Sequence, residues 1–115
     1  MGWRSWNFFQ GDIDDPKMRA QIDAMLVTRP TRTGCSSDEA DCDATAPVSL
    51  LGLGYTRAGV DDGWQDCASY TVEPSGSPAF HDEHGTPIVN TTKFPDLKSL
   101  SAYASSKSVL LGWYA

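Results

Sequence analysis

Residues 55–62 read YTRAGVDD, and this stretch predicts a short strand that ends in two adjacent carboxylates, Asp61 and Asp62. Two other segments have the length and apolar character of strands, residues 2–9 (GWRSWNFF) and residues 109–114 (VLLGWY). The last of them is apolar almost throughout, which is typical of a strand covered on both faces. The sequence therefore predicts three strands, of which the first is buried and runs into a loop.

A helix is predicted in each of the two intervals between these strands. The first extends from about residue 16 to residue 27, because Asp14-Asp15-Pro16 supplies an acidic N-cap and a proline at the first helical position. The second begins after Pro95-Asp96 and ends near Lys107. Each helix has an apolar face at helical spacing. These faces consist of Met18, Ile22, Met25 and Leu26 in the first helix and of Leu97, Leu100, Tyr103 and Ala104 in the second.

The order strand, helix, strand, helix, strand predicts an α/β fold with a parallel sheet and right-handed crossovers. A closed barrel of this kind requires eight strands and eight helices in roughly 250 residues. The chain has 115 residues. We therefore expect residues 1–115 to be one part of a larger α/β domain.

Residues 28–48 (TRPTRTGCSSDEADCDATAPV) are polar and without periodicity, and they predict a surface loop inserted into this pattern. Cys35 and Cys42 lie in this loop and can close a small ring through a disulfide; the alternative is two unrelated surface thiols. Residues 66–94 contain turn signals near residues 74–76 and 82–85, and they predict an excursion with a hairpin.

The composition argues against several function classes. Asp and Glu total 15 against 9 Lys and Arg, and the resulting formal charge of −6 disfavours non-specific nucleic-acid binding. No apolar run approaches the roughly 18 residues of a membrane span. Residues 81–84 (HDEH) have no partner ligands elsewhere, so we expect a solvated hairpin there, no metal site and no cofactor.

Candidate ligand-binding side chains follow the three predicted strands: Trp6 the first, Asp61 and Asp62 the second, and Tyr114 the third. Ligands of parallel α/β folds bind outside the carboxyl ends of the strands. Carboxylates accept hydrogen bonds from neighbouring hydroxyls, and aromatic rings cover the C–H faces of a pyranose, so this set suits a sugar. The alternatives are a loop start or cap for the two aspartates and a packing role for Trp6.

The two aspartates are predicted to bind rather than to catalyse. The two carboxyls of a retaining glycosidase lie about 5–5.5 Å apart on either side of the scissile bond. Adjacent residues on a strand point to opposite faces of the sheet, so Asp61 and Asp62 do not meet this requirement. We expect the remaining tryptophans, Trp3, Trp64 and Trp113, to be packing residues.

Three motifs in this order resemble family-27 glycoside hydrolases, the α-galactosidases and α-N-acetylgalactosaminidases. Residues 1–7 (MGWRSWN) resemble the first-strand motif, residues 54–65 (GYTRAGVDDGWQ) the second strand, and residues 111–115 (LGWYA) the end of the third. The resemblance implies that residues 1–115 comprise the first three strands and two helices of a (β/α)8 TIM barrel. Residues 28–48 would be an insertion that the family pattern does not need.

The resemblance also implies an activity, the retaining hydrolysis of terminal α-linked galactose from oligosaccharides or glycoconjugates. It assigns Trp6, Asp61, Asp62 and Tyr114 to substrate binding. The family's nucleophile and acid/base aspartates follow its fourth and sixth strands, so we expect no catalytic residue within residues 1–115. The alternatives are an α-N-acetylgalactosaminidase and a non-catalytic, carbohydrate-binding pseudo-enzyme; the sequence indicates no oligomeric state.

The chain departs from the family pattern at two positions. The family often has a cysteine directly after the two aspartates, bridged to the loop after the first strand, whereas this chain has Gly63. The glycine that usually precedes the third strand is replaced by Ser108. The family's disulfide pattern is therefore not carried over.

Asn90-Thr91-Thr92 is a glycosylation sequon, and with the resemblance it favours a secreted or lysosomal/vacuolar protein. Met1 is followed directly by residues 2–6 (GWRSW), with no charged or apolar leader. We therefore expect the N-terminus of the protein to lie upstream of Met1; the alternative is a cytoplasmic protein.

Overall fold

The computed structural model describes residues 1–32, 44–66, 71–72, 78–79, 81–82 and 84–113. Within these residues the elements, in chain order, are β1 (Gly2–Arg4), α1 (Trp6–Phe9), α2 (Asp15–Leu26), β2 (Arg29–Arg32), β3 (Ala44–Val48), β4 (Arg57–Val60), β5 (Thr71–Val72), β6 (Pro78–Ala79), α3 (Leu97–Ser106) and β7 (Leu110–Trp113). None of the helices in the described part of the chain is long and apolar enough to cross a membrane.

A parallel sheet of three strands organises the fold. Its order is β1-β4-β7, so β4 is central and pairs in parallel with both neighbours. Helix α2 lies in the interval between β1 and β4, and α3 lies in the interval between β4 and β7. This arrangement confirms the predicted α/β fold with a parallel sheet.

The two long helices begin where the sequence predicts. Asp14 caps α2, since its side chain accepts a hydrogen bond from the Lys17 amide at 2.9 Å, and Pro16 lies in the first turn. Asp96 caps α3 in the same way through the Ser99 amide at 2.8 Å. In both cases the aspartate satisfies an amide that has no partner within the helix.

The core lies between these helices and one face of the sheet. Ala58 and Val60 alternate along β4, so they share a face. Both are buried together with the inward-facing residues of the helices, which are Met18, Ile22 and Met25 in α2 and Leu100 and Ala104 in α3. Three other residues of the predicted apolar faces, Leu26, Leu97 and Tyr103, are only partly buried.

The opposite face of the sheet is open. The central row across the strands, which contains Arg4, Gly59 and Gly112, has one side chain and two glycines. A Cβ atom at Gly59 would lie 3.5 Å from Cγ of Arg4, so the arginine lies directly across this glycine. Leu110, which shares this face with Gly112, is 59% exposed. The described residues therefore do not cover both faces of the third strand, and its burial on both faces stays a prediction for the full-length protein.

Two predicted segments also differ from the structure. The predicted strand at residues 2–9 is only three residues long, because residues 6–9 form a helical turn closed by the hydrogen bond from the Gln10 amide to the Trp6 carbonyl. Residues 28–48, predicted as a loop, contain the antiparallel strands β2 and β3. Such a ribbon pairs through its main chain and needs no apolar periodicity, which explains why the sequence pattern did not indicate it.

Candidate functional site

The ends of β1 and β4 are joined by hydrogen bonds from a buried serine. The Ser5 amide donates to the Gly59 carbonyl at 3.1 Å, and the Ser5 hydroxyl accepts from the Asp61 amide at 2.9 Å. Ser5 is completely buried. Because both partners belong to β4 or follow it directly, Ser5 fixes the position of Trp6 relative to the Asp61–Asp62 pair.

Asp61 is held by the arginine of β1. Nε of Arg4 donates to the two carboxylate oxygens at 2.9 and 3.1 Å, and Nη2 also donates to Oδ1. The Trp6 amide donates to Oδ2 at 3.2 Å. Each carboxylate oxygen has about two acceptor sites, so these bonds occupy most of the capacity of Asp61.

The hydrogen bonds from Arg4 lower the pKa of Asp61. Burial of the carboxyl opposes this effect, and the Trp6 amide and the positive charge of Arg4 add to it. The side chain of Asp61 is 12% exposed, whereas that of Arg4 is 55% exposed. Asp61 is therefore a largely buried, ionised carboxylate with a cationic partner at the surface.

Asp62 lies in a different environment from its neighbour. Its side chain is exposed, and its Oδ1 accepts a hydrogen bond from the Gly63 amide at 2.9 Å. The same amide also donates to Oε1 of the buried Gln65 at 3.1 Å. One carboxylate is thus bonded to Arg4, and the other is exposed and accessible to a ligand.

Trp6 and Asp62 line the same open cleft beyond the ends of β1 and β4. Its volume is about 460 Å³, and small-molecule sites typically measure about 300–1,000 Å³. The eight residues that line it are Trp6, Gly11, Asp62, Gly63, Gln65, Asp66, Asn90 and Lys93. The strand-end cleft, as we call the space between these residues, contains an aromatic ring, carboxylates, amides and one ammonium group.

A second cavity of about 460 Å³ lies over the sheet and includes residues of all three strands. Its lining comes from the strands themselves, with glycine, leucine, arginine and tryptophan residues and one alanine, and not from the loops after their carboxyl ends. Ligands of parallel α/β folds bind beyond those ends. The strand-end cleft is therefore the better candidate site.

The four tryptophans have different surroundings. Trp64 is buried, with 3% of its surface exposed, and its ring centroid lies 6.5 Å from that of Trp113. Trp3 is partly buried and packs edge-on against Phe9 at 6.4 Å. Trp6 is 46% exposed. The packing role predicted for Trp3 and Trp64 is confirmed, while Trp113 is more exposed than a packing residue should be.

A turn at residues 90–93 forms one wall of the cleft. Oδ1 of Asn90 accepts from the amides of Thr92 and Lys93, each at 3.1 Å. Asn90 is half-buried and lies in the lining of the cleft. Its glycosylation stays a prediction, and a glycan on this side chain would project into the same space that a ligand would use.

His81 pairs with Pro87 in an antiparallel bridge, where the sequence predicts a turn near residues 82–85. The Asp82 amide donates to the Thr86 carbonyl at 2.9 Å, and Oδ1 of Asp82 accepts from the amides of His84 and Thr86. The Thr86 amide lowers the pKa of Asp82. Within the described residues no three His, Cys, Asp or Glu side chains are grouped to hold a metal ion.

Several predicted residues lie outside the described part of the chain. These are Tyr114, which was predicted to line the site, and Cys35 and Cys42, which were predicted to form a disulfide. The structure thus brings Trp6 and Asp62 together in one cleft and connects Asp61 to the Trp6 main chain.

Two residues of this site were not predicted from the sequence. Arg4 lies opposite Gly59 in the parallel register, and this place in the sheet gives it access to Asp61. Lys93 approaches Gly11, which lies 82 positions away in the sequence, and no local pattern indicates such a contact.

Comparison with known proteins connects the chain to one enzyme class. No protein-family profile matches it. The chain is 27% identical over 116 residues to "Alpha-galactosidase 2" of Arabidopsis thaliana, a match that covers 100% of this chain and 21% of that protein. The chain therefore spans about a fifth of the length of this relative, and the predicted resemblance is confirmed over all of the chain.

Solved structures of the same class share the fold. The structure of the α-galactosidase of Saccharomyces cerevisiae matches this chain with a TM-score of 0.63 and 22% sequence identity. The structure of the Saccharomyces cerevisiae α-galactosidase with raffinose matches with a TM-score of 0.63 and 19% identity. Each match covers 100% of this chain and 18% of the other chain. α-Galactosidase I of Mortierella vinacea matches with a TM-score of 0.64 and 23% sequence identity, and the match covers 100% of this chain and 21% of the other chain. The chain thus has the fold of part of an α-galactosidase barrel.

Proposed function

We propose that residues 1–115 are part of a retaining α-galactosidase and that their strand-end cleft binds the terminal galactose of the substrate. The observation that carries this proposal is the strand-end cleft, in which the exposed ring of Trp6 and the carboxylate of Asp62 line one space. Proteins that are similar to the chain in sequence or fold support it, since they are α-galactosidases and one of them has been solved with raffinose.

Trp6 and Asp62 have complementary roles in this proposal. The ring of Trp6 covers the apolar C–H face of the pyranose, and the two oxygens of Asp62 accept hydrogen bonds from neighbouring hydroxyls. An epimer with a misplaced hydroxyl would leave a charged acceptor without its partner, which costs on the order of 1–3 kcal/mol. The cleft can therefore discriminate between sugars as well as bind them.

Asp61 has a different role in the same proposal. Its oxygens already accept hydrogen bonds from Arg4 and from the Trp6 amide, so a direct bond to the sugar requires Arg4 to yield one of them. We assign Asp61 mainly to fixing Trp6 at the edge of the cleft, and we retain Tyr114 as a fourth lining residue on the basis of its motif.

We place the nucleophile and the general acid outside residues 1–115. The proposed reaction passes through a covalent glycosyl-enzyme intermediate and retains the α configuration at the anomeric carbon. In this scheme residues 1–115 form the first three strands of the barrel, residues 28–48 are an insertion, and the cleft positions the sugar for carboxylates on later strands.

Replacement of Asp62 by alanine in the full-length protein tests this function. Loss of two charge-assisted hydrogen bonds amounts to about 3 kcal/mol, so kcat/KM for p-nitrophenyl α-galactoside should fall about 100-fold. Asp23→Ala is the matched control, because Asp23 is an exposed carboxylate on α2 that bonds to Tyr103. It should leave kcat/KM unchanged.

The product of the unmodified protein tests the reaction type. Proton NMR should show α-galactose as the first product, because two successive displacements at the anomeric carbon restore its configuration. Normal turnover in Asp62→Ala would refute the binding role. Binding of galactose without any hydrolysis would identify the protein as a carbohydrate-binding pseudo-enzyme.

A further inference from the structure

The turn at residues 90–93 connects the two loops that border the strand-end cleft. The Asn90 amide donates to the Trp64 carbonyl at 2.9 Å, which joins the turn to the loop after β4. The Lys93 carbonyl accepts from the Asp15 amide at 2.9 Å, which joins it to the start of α2. The main chain of Lys93 therefore has a fixed position between the two loops.

The side chain of Lys93 adds a direct link between these loops. Its ammonium group donates to the Gly11 carbonyl at 2.7 Å and to the Gly63 carbonyl at 3.4 Å. Gly11 follows the helical turn that begins with Trp6, and Gly63 directly follows Asp62. One cation thus contacts both segments that carry the proposed sugar-binding side chains.

The two loops also touch through their main chains. A Cβ atom at Gly63 would lie 2.7 Å from the carbonyl oxygen of Gly11 and 2.8 Å from its Cα atom, which is closer than a Cβ atom can approach either of them. Gly63 has φ +99°, a conformation that favours glycine. The closeness of the loops therefore depends on the absence of a side chain at Gly63.

We propose that Lys93 is a positioning residue for sugar binding, because its ammonium group holds the segments of Trp6 and Asp62 at a fixed separation. This inference rests on the function proposed above. A cleft whose walls are already at the correct distance does not lose binding free energy to ordering them when the sugar arrives. The side chain of Lys93 acts through Gly11 and Gly63 and does not need to contact the sugar.

The variants Lys93→Met and Lys93→Arg in the full-length protein test this role. Methionine keeps the unbranched stem and removes the cation, so the Kd for galactose, measured by calorimetry, should rise about tenfold. Hydrogen exchange in peptides covering residues 6–12 and 61–66, measured without sugar, should become faster. Arginine retains a cation with several donors, so Lys93→Arg should keep the Kd and the exchange rate close to those of the unmodified protein.

Alanine substitutions at two glycines, one as the test and one as the control, provide a second experiment that leaves Lys93 unchanged. Gly63→Ala places a methyl group against Gly11 and should raise both the Kd and the exchange rate. Gly54→Ala is the control, because Gly54 also has a positive φ, +86°, but nothing lies within 4 Å of its Cβ position. It should reduce stability without changing the Kd for galactose.

Two results would overturn the proposal. If Lys93→Met leaves both Kd and exchange unchanged, the ammonium group does not position the loops. If Kd rises while exchange stays the same, Lys93 contacts the sugar directly. Failure of the unmodified protein to bind galactose would refute the proposed function instead, and the exchange rates would then decide by themselves whether Lys93 holds the loops together.

Discussion

The two adjacent aspartates show how a single step along the chain changes the chemistry of a carboxylate. Asp61 is largely buried against Arg4, whereas Asp62 is exposed in the strand-end cleft. The sequence indicates that both follow a strand. It does not indicate the partner of Asp61, because Arg4 lies 57 positions away and its approach depends on the parallel register of β1 and β4.

The depressed pKa of Asp61 leads to a prediction about acid stability. Because the pKa of Asp61 in the folded state lies below its ordinary value of 3.8, its ion pair contributes stability above about pH 4. That contribution is lost as the pH falls through the folded-state pKa. In the full-length protein, Asp61→Asn should therefore lower the free energy of unfolding by about 1–2 kcal/mol at pH 7.

Urea denaturation of Asp61→Asn and of the unmodified protein at a series of pH values checks this prediction. The difference between the two proteins should shrink as the pH falls from about 4 through the lowered folded-state pKa of Asp61, because the carboxyl becomes protonated over that range and then resembles the uncharged amide. A difference that stays constant from pH 7 to pH 3 would show that the Arg4–Asp61 ion pair does not contribute to stability.

At the level of elements, the helices were predicted more accurately than the strands. A helix start depends on nearby residues, and the caps Asp14 and Asp96 are visible in the sequence. A strand end depends on its neighbour in the sheet, and β4 is four residues long where eight were predicted. The helical turn after β1 was missed because aromatic residues alone do not distinguish a strand from a short helix.

The end of α3 is strained at a position where glycine would be favoured. Ser108 has φ +60°, in the left-handed region, and its amide donates to the Ser105 carbonyl at 3.0 Å. A side chain at this C-terminal position costs roughly 1 kcal/mol relative to glycine. The structure thus explains why the resembled family has a glycine before its third strand.

Ser108→Gly should therefore stabilise the full-length protein by about 0.5–1 kcal/mol, as measured by urea denaturation. Ser105→Gly is the matched control, because Ser105 is an exposed residue of the same helix with a helical conformation. Glycine at that position should destabilise the protein by about 0.5–1 kcal/mol. If both substitutions change the free energy of unfolding in the same direction, the assignment of strain to Ser108 is contradicted.

At the scale of the whole molecule, the described residues expose much apolar surface. Eight large hydrophobic side chains are exposed, including Phe8 at 81%, Leu110 at 59% and Trp113 at 44%. Exposed apolar side chains in this number are expected on a surface that packs against other protein. In the proposed barrel, later strands and helices would cover it.

The isolated 115-residue chain should consequently fold poorly. We expect it to bind the dye ANS strongly and to lose its far-ultraviolet circular dichroism over a broad temperature range. A sharp, cooperative transition without dye binding would contradict this prediction. The full-length protein serves as the comparison and should show weak dye binding under the same conditions.

The overall architecture was predictable because it follows from the alternation of apolar segments, whereas the internal links of the cleft were not. Lys93 joins Gly11 and Gly63 across 82 and 30 positions of the chain. Such contacts arise only once the helices have brought distant loops together. The close approach of Gly63 to Gly11 is likewise a property of the folded chain.

The most direct test of the binding site is a crystal structure of the full-length protein with galactose. We predict that the sugar lies in the strand-end cleft, with its C–H face on the ring of Trp6 and two of its hydroxyls within about 2.5–3.0 Å of the Asp62 carboxylate. Galactose bound at another place, with Trp6 and Asp62 both in contact with solvent only, would contradict the proposed site.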